Sequence, residues 1–408
     1  MNRRFFTSLS VLAGSPARHP RWGALAGSLA RHPHWGALAV VSLLVMPVAG
    51  QAPVAAPKAP ANTTAAQKPA VTPKTTDAAK PWTPPRTPWG DPDLQGIYNY
   101  ATSTPLQRPR QLGEKQVLNE DEAADLQEEL AENLTRDRRD GGAEADVSRA
   151  YNDHWMDPKR LLLTADKRTS LIVDPPDGRL PPRLPQKVSP EERAARELSN
   201  KRFNAGFFES YKDMDVGNRC IIRRRNEGGG HPYLPAIYNN MAQIFQTPGY
   251  VVIYSEMIHF SRIIPVDGRP HLPSNVETWL GDPRGHWEGN TLVVETANFL
   301  SSDDVGRTAV VYGNANPKTF RLVERLTRVA PDVINYEVTM SDPNTWTRPF
   351  TISVPWNKTQ EQVYEYQCQE TNYDMYHWLS SARTREARGE KFDPNSPAAR
   401  GGDNQAEP

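Results

Sequence analysis

The chain has 408 residues, of which 38% are apolar, and its 48 basic residues balance 48 acidic ones. Residues 1–50 hold Arg3, Arg4, Arg18, Arg21 and Arg31 and no acid, so the remainder sets 43 basic against 48 acidic residues, a charge of −5. A mildly acidic body without a basic stripe argues against nucleic acid and anionic membrane as partners.

The first element in chain order is a targeting signal. Arg3 and Arg4 form a basic start, Gly36 to Val48 is apolar, and Val48-Ala49-Gly50 places small residues ahead of Gln51. This is the pattern of a cleavable export signal over 1–50, with a periplasmic or secreted product and no stable membrane insertion after cleavage. Its apolar core is too short to span a bilayer comfortably, although an uncleaved anchor is the alternative. Asn2-Arg3-Arg4-Phe5-Phe6-Thr7 also resembles the twin-arginine export motif, against an ordinary basic start. Within this region Ala17–Ala26 returns almost unchanged as Ala30–Ala39, and two copies are too few for a solenoid. Residues 51–88, rich in Ala, Pro, Thr and Lys, cannot offset the entropy of ordering and read as a disordered tether.

Ordered structure is expected from about Trp89, where turn residues precede Ile97-Tyr98. A helix is predicted from about Glu120 to Arg136, with Asn119 as cap and Glu122 completing a capping box. Leu171-Ile172-Val173 reads as a strand running into the Asp174-Pro175-Pro176-Asp177-Gly178 turn. A second helix should start at Ser189 and Pro190, close its box with Glu192, and run to about Phe203. Residues 89–240 thus form an irregular wrapping layer with two helices. Residues 241–383 read as alternating strands punctuated at Thr247-Pro248-Gly249, Asp267-Gly268, Glu288-Gly289-Asn290 and Ala330-Pro331-Asp332. Eight or nine such strands predict a mainly β fold, an antiparallel meander closing into a lipocalin-like barrel or folding into a sandwich. Residues 384–408 read as a disordered tail.

Cys220 and Cys368 are the two cysteines. After export they are expected to form a disulfide, with two unpaired buried thiols as the alternative.

Candidate chemistry lies on the strands. With Ala330-Pro331-Asp332 as a three-residue loop, Val329 faces Val333 and Arg325 faces Glu337. Glu324 then shares a core face with Leu322, Leu326, Tyr336, Val338 and Met340, and a carboxylate there needs a partner, with Arg328 the nearest candidate, or a ligand. Glu256, His259 and Arg262 form the one acid/base constellation, convergent only if a bulge or hairpin tip intervenes. These three are the catalytic candidates if the protein is an enzyme. His271, His286 and Glu288 nearby would allow a metal site instead, but they lack the tight spacing of a zinc motif, so no metal ligand is assigned and the cofactor stays unknown. Trp279, Trp287, Trp346, Trp356, Tyr336, Tyr364 and Tyr366 fill a barrel or line a pocket for a small, partly apolar or aromatic molecule. The ligand-facing set is Trp287, Glu288, Glu324, Tyr336, Trp346 and Tyr366. No phosphate loop, nucleophile elbow or paired CxxC occurs.

Four motifs, Ile244–Ile253, Arg262–Pro270, Gly285–Thr296 and Asp342–Pro349, resemble a large family of exported bacterial proteins of unassigned function. The resemblance covers roughly Trp89 to Arg383, with Asn290 standing where that family is expected to carry Asp. It implies an exported protein and supplies no activity. Two functions stay open: a small-molecule-binding barrel, or an exported hydrolase or lyase using the acid, His and Arg residues, with or without a divalent metal.

Overall fold

The computed structural model describes residues 82–135, 137, 142, 153–185, 189–214, 216–222, 231–300, 312, 315–368 and 373–399. All of these belong to one unit, Thr76–Pro408. The export signal, the duplicated segment and most of the tether fall outside the described residues.

Nine strands make a nearly closed antiparallel barrel. In chain order they include β1 (Gly96–Asn99), then a first meander of β3 (Met241–Thr247), β4 (Tyr250–Ser255) and β5 (Phe260–Pro265). A second meander follows: β6 (Asp282–Glu288), β7 (Thr291–Ala297), β8 (Arg321–Ala330), β9 (Val333–Ser341) and β10 (Phe350–Lys358). The strand order is β5-β4-β3-β1-β10-β9-β8-β7-β6, and β2 (Ile172–Asp174) pairs with β10 off this path. Thus β1, a strand within the wrapping layer, joins the two meanders by pairing with both β3 and β10. Its four residues alternate too briefly for pattern reading to separate them from loop.

The barrel closes where β5 meets β6, and a glycine allows it. A Cβ on Gly285 would stand 2.8 Å from Val266 Cγ1 and 3.0 Å from Ile264 Cγ2. Inward positions alternate along each strand, as in Leu322, Glu324, Leu326 and Arg328 on β8, all buried. Their apolar members merge with Leu292, Val294, Val354 and Trp356 into one core.

The β8–β9 hairpin confirms Arg325 opposite Glu337 but corrects its tip. Ala330, not Val329, pairs with Val333, because a bulge between Arg328 and Ala330 expels Val329 to 52% exposure. One extra residue in the strand replaces one residue of the loop, which leaves the register below it unchanged.

Helix α1 (Glu120–Leu134) carries the expected box: Asn119 accepts from the Glu122 N–H, and the Glu122 carboxylate accepts from the Asn119 N–H. Helix α2 spans Pro190–Asn204; the Glu192 side chain lies outside the description. A third helix, α3 (Asp374–Ala387), departs from expectation; it lies where the sequence suggests the end of the barrel and the start of the tail. Met375, Trp378, Leu379 and Ala382 recur at helical spacing and pack on Phe203, Phe208 and Met214 in a second small core. Phe208 and Trp378 stack at 5.3 Å. Cys220 and Cys368 are joined by a disulfide with Cα atoms 5.8 Å apart. Among the described residues no helix is long and apolar enough to cross a membrane.

Candidate functional site

Alternation on β8 forces Glu324 inward, where it is 0% exposed, and on β5 it does the same to Arg262, at 3%. The two meet across the barrel interior. Arg262 Nη1 donates to Glu324 Oε1 at 2.9 Å, and Nη2 donates to the Thr296 hydroxyl of β7 at 2.6 Å. Nη2 also forms an ion pair with Glu324 Oε2 at 2.5 Å. The Tyr336 hydroxyl of β9 donates to Oε1 at 2.9 Å and accepts from the Tyr233 N–H at 3.3 Å.

Glu324 is therefore paired, but with Arg262 rather than Arg328. Four residues along one strand separate Glu324 from Arg328, a distance of about 13 Å. Arg328 instead donates to the carbonyls of Asp93 and Pro331, at 2.9 and 2.5 Å.

Aromatic rings wall this charged pair. Trp356 of β10 lies 5.0 Å from Tyr336, 5.2 Å from Tyr233 and 5.5 Å from Tyr100, centroid to centroid. His231 reaches the same interior, its ring 5.9 Å from Phe299. Burial, then the positive charge of Arg262, holds the His231 imidazole well below its ordinary value. Burial, then the negative charge of Glu324, pushes the Tyr336 phenol well up. Burial likewise raises Tyr233. For Arg262, burial opposes the charge, but Glu324 outweighs it and keeps the guanidinium protonated.

Several polar atoms in this chamber are buried without an aligned hydrogen-bond partner. They include Arg262 Nε and Trp356 Nε1, while the Tyr233 hydroxyl lies against Arg262 and the His231 ring against the Leu280 backbone. Such groups cost free energy unless something polar reaches them.

The acid/base constellation does not assemble. A 3-10 turn over Met257–His259 does intervene between β4 and β5. It turns Glu256 and His259 toward the segment after β10: Glu256 Oε1 accepts from the Tyr364 N–H at 3.0 Å, and His259 Nδ1 lies 2.8 Å from the Tyr366 carbonyl. Burial raises the Glu256 carboxyl, and the N–H of Tyr364 works against that rise. Arg262 is committed to Glu324.

Of the ligand-facing set, Glu324 and Tyr336 form the chamber. Trp287 packs half-buried against the core with its Nε1 unpartnered. Trp346 belongs to the same core but contacts Phe350 at 5.1 Å and Phe320 at 6.4 Å instead. Glu288 lies outside the barrel and accepts from Arg325 at 2.7 Å, so the expected Arg325–Glu337 attraction is diverted. Tyr366 contributes its carbonyl to His259. His271 pairs with Asp282 at 3.0 Å and His286 with Glu288 at 3.2 Å. Among the described residues no group of three or more His, Cys, Asp or Glu could hold a metal ion. A partly open groove of about 350 Å³ is lined by His271, Glu295, Thr296, Asn298, Arg321 and Leu322, and Thr296 is also the residue that accepts from Arg262.

Sequence reasoning missed His231, Tyr233, Tyr100 and Thr296. The available signal was His231-Pro232-Tyr233-Leu234-Pro235, a histidine ahead of a proline and an aromatic held between two prolines, after three glycines. No protein-family model matches the chain, and no curated protein matches it.

Proposed function

We propose that this protein is an exported barrel that binds a small, partly apolar molecule in the chamber around Arg262 and Glu324. The observation that carries this reading is the set of buried polar groups, Arg262, Glu324, His231 and Trp356 Nε1, held inside a ring of tyrosine and tryptophan side chains. A ligand with an apolar body and a hydrogen-bonding end would satisfy those groups and replace aromatic contacts that are already in place. Export is supported by the signal-like N-terminus, by the resemblance to exported bacterial proteins and by the disulfide. Nothing in the geometry favours the hydrolase or lyase reading, because Glu256 and His259 direct their polar atoms to a different segment from Arg262.

A thermal-shift screen of aromatic and lipid compounds tests binding, since a ligand at 100 times its Kd raises stability by about 2.7 kcal/mol. Hits should lose their effect in the Arg262→Met/Glu324→Leu double variant. Hits that act equally on both proteins would place binding elsewhere and overturn the chamber. Mass spectrometry of the exported protein should find Gln51 near the N-terminus, and an intact Met1 would overturn cleavage.

A further inference from the structure

Tyr233 is unlike the other rings of the chamber. Tyr336 and Trp356 belong to β9 and β10, whereas Tyr233 belongs to no strand and is carried by the irregular segment ahead of β3. It is nevertheless 0% exposed. Its ring meets three others edge-on: Tyr100 at 6.2 Å and 67°, Tyr336 at 5.8 Å and 77°, Trp356 at 5.2 Å and 85°. Edge-to-face contact on three sides is a slot shaped for one flat ring. Burial raises the phenol, and its oxygen ends against the Arg262 guanidinium, which works against that rise. Withdrawing the Tyr233 side chain would break no strand ladder.

The electrostatics define what else the slot can take. Arg262 and Glu324 cancel, and His231 is held neutral by burial and by Arg262. The groups left over include the donors Arg262 Nε–H and Trp356 Nε1–H. An ionised ligand would leave one net charge buried, which is costly, while a hydroxyl both donates and accepts at no such cost.

We infer that the slot filled by Tyr233 is the ligand slot, and that its ligand is an uncharged phenol or aromatic alcohol that displaces the Tyr233 side chain. This inference rests on the binding-barrel reading and names its ligand class and its competitor. Self-occupancy also makes the apparent affinity weaker than the intrinsic one, by the fraction of molecules in which the slot is open.

The test uses full-length mature protein and three probes of one shape: p-cresol, 4-methylbenzoate and 4-methylbenzylammonium. Binding is read by ligand-observed NMR at pH 7, and displacement by hydrogen exchange. We expect p-cresol to bind at least about 10-fold more tightly than either charged probe, taking 1.4 kcal/mol as a factor of ten. It should also raise exchange in residues 231–236 while the strands stay protected. Tyr233→Ala should bind p-cresol at least about 10-fold more tightly than the unaltered protein, and the unaltered protein alone decides the question if that variant does not fold. Equal or tighter binding of a charged probe, or p-cresol binding without faster exchange in 231–236, would overturn the inference and leave the binding barrel standing. Binding of none of the three, while the compound screen still gives chamber-dependent hits, would also overturn it alone. If the screen gives none, both readings fall together.

Discussion

At the scale of single residues, the Arg262–Glu324 pair is the main commitment of the interior. Glu324→Gln keeps the shape of the side chain and an acceptor for Tyr336, but leaves the guanidinium buried without a counter-charge. We expect a loss of about 3–5 kcal/mol, the usual penalty for removing one member of a buried pair. Replacing both partners, in Arg262→Met/Glu324→Leu, should recover most of that loss, and urea midpoints of the single and double variants measure it. A single variant as stable as the unaltered protein would mean that the pair is solvated. His231 adds a pH dependence of definite sign. Its folded value lies well below 6.5, so as pH falls below 6.5 the unfolded chain takes up a proton that the folded chain refuses. Stability therefore falls on acidification from 6.5 toward the folded value, by at most about 1.4 kcal/mol per pH unit. His231→Asn should flatten the change in urea midpoint between pH 7.5 and pH 5.5. Identical pH profiles for the two proteins would show that His231 ionises freely.

At the scale of elements, the seam between β5 and β6 is held open to close approach by one missing side chain. Gly285→Ala would drive a methyl into Val266 and Ile264, and overpacking of this kind costs about 1–3 kcal/mol. Val266→Ala in the same chain should return part of it, a coupling that a double-mutant cycle reads directly. Additive effects would show that the seam relaxes without strain. How much of the architecture is legible in the sequence follows from element length. The long strands β8 and β9 alternate over ten and nine residues, so their inward face, with Glu324 on it, is readable from the alternation alone. The capping box of α1 is readable because Asn119 and Glu122 satisfy each other locally. β1 is not, because four residues carry no period and its role depends on neighbours more than a hundred residues away. The partner of Glu324 escapes sequence reasoning for the same reason. Arg262 and Glu324 are 62 residues apart, and their meeting depends on how the barrel closes.

At the scale of the whole molecule, the barrel and its wrapping layer are tied by one covalent link. Cys220 lies in the irregular layer and Cys368 beyond β10, 148 residues away in sequence. Between β10 and Cys368 the chain is already pinned to the barrel by the Glu256 contact to Tyr364 and the His259 contact to Tyr366. The bridge extends that attachment to the wrapping layer at Cys220, which is itself 5% exposed. In the chain-entropy treatment a closed loop of this length stabilises the fold by about 5 kcal/mol, chiefly by restricting the unfolded chain. The barrel ladders themselves do not depend on it. We therefore expect Cys220→Ala/Cys368→Ala to lower the urea midpoint strongly while leaving the far-ultraviolet circular dichroism of the folded state unchanged. Reductant should lower the midpoint of the unaltered protein toward that of the variant and have no effect on the variant itself. A variant with an unchanged midpoint would show that the noncovalent contacts of Glu256 and His259 already hold the two parts together. A variant that loses its β signal in the absence of urea would show that the barrel cannot close without the layer fastened to it.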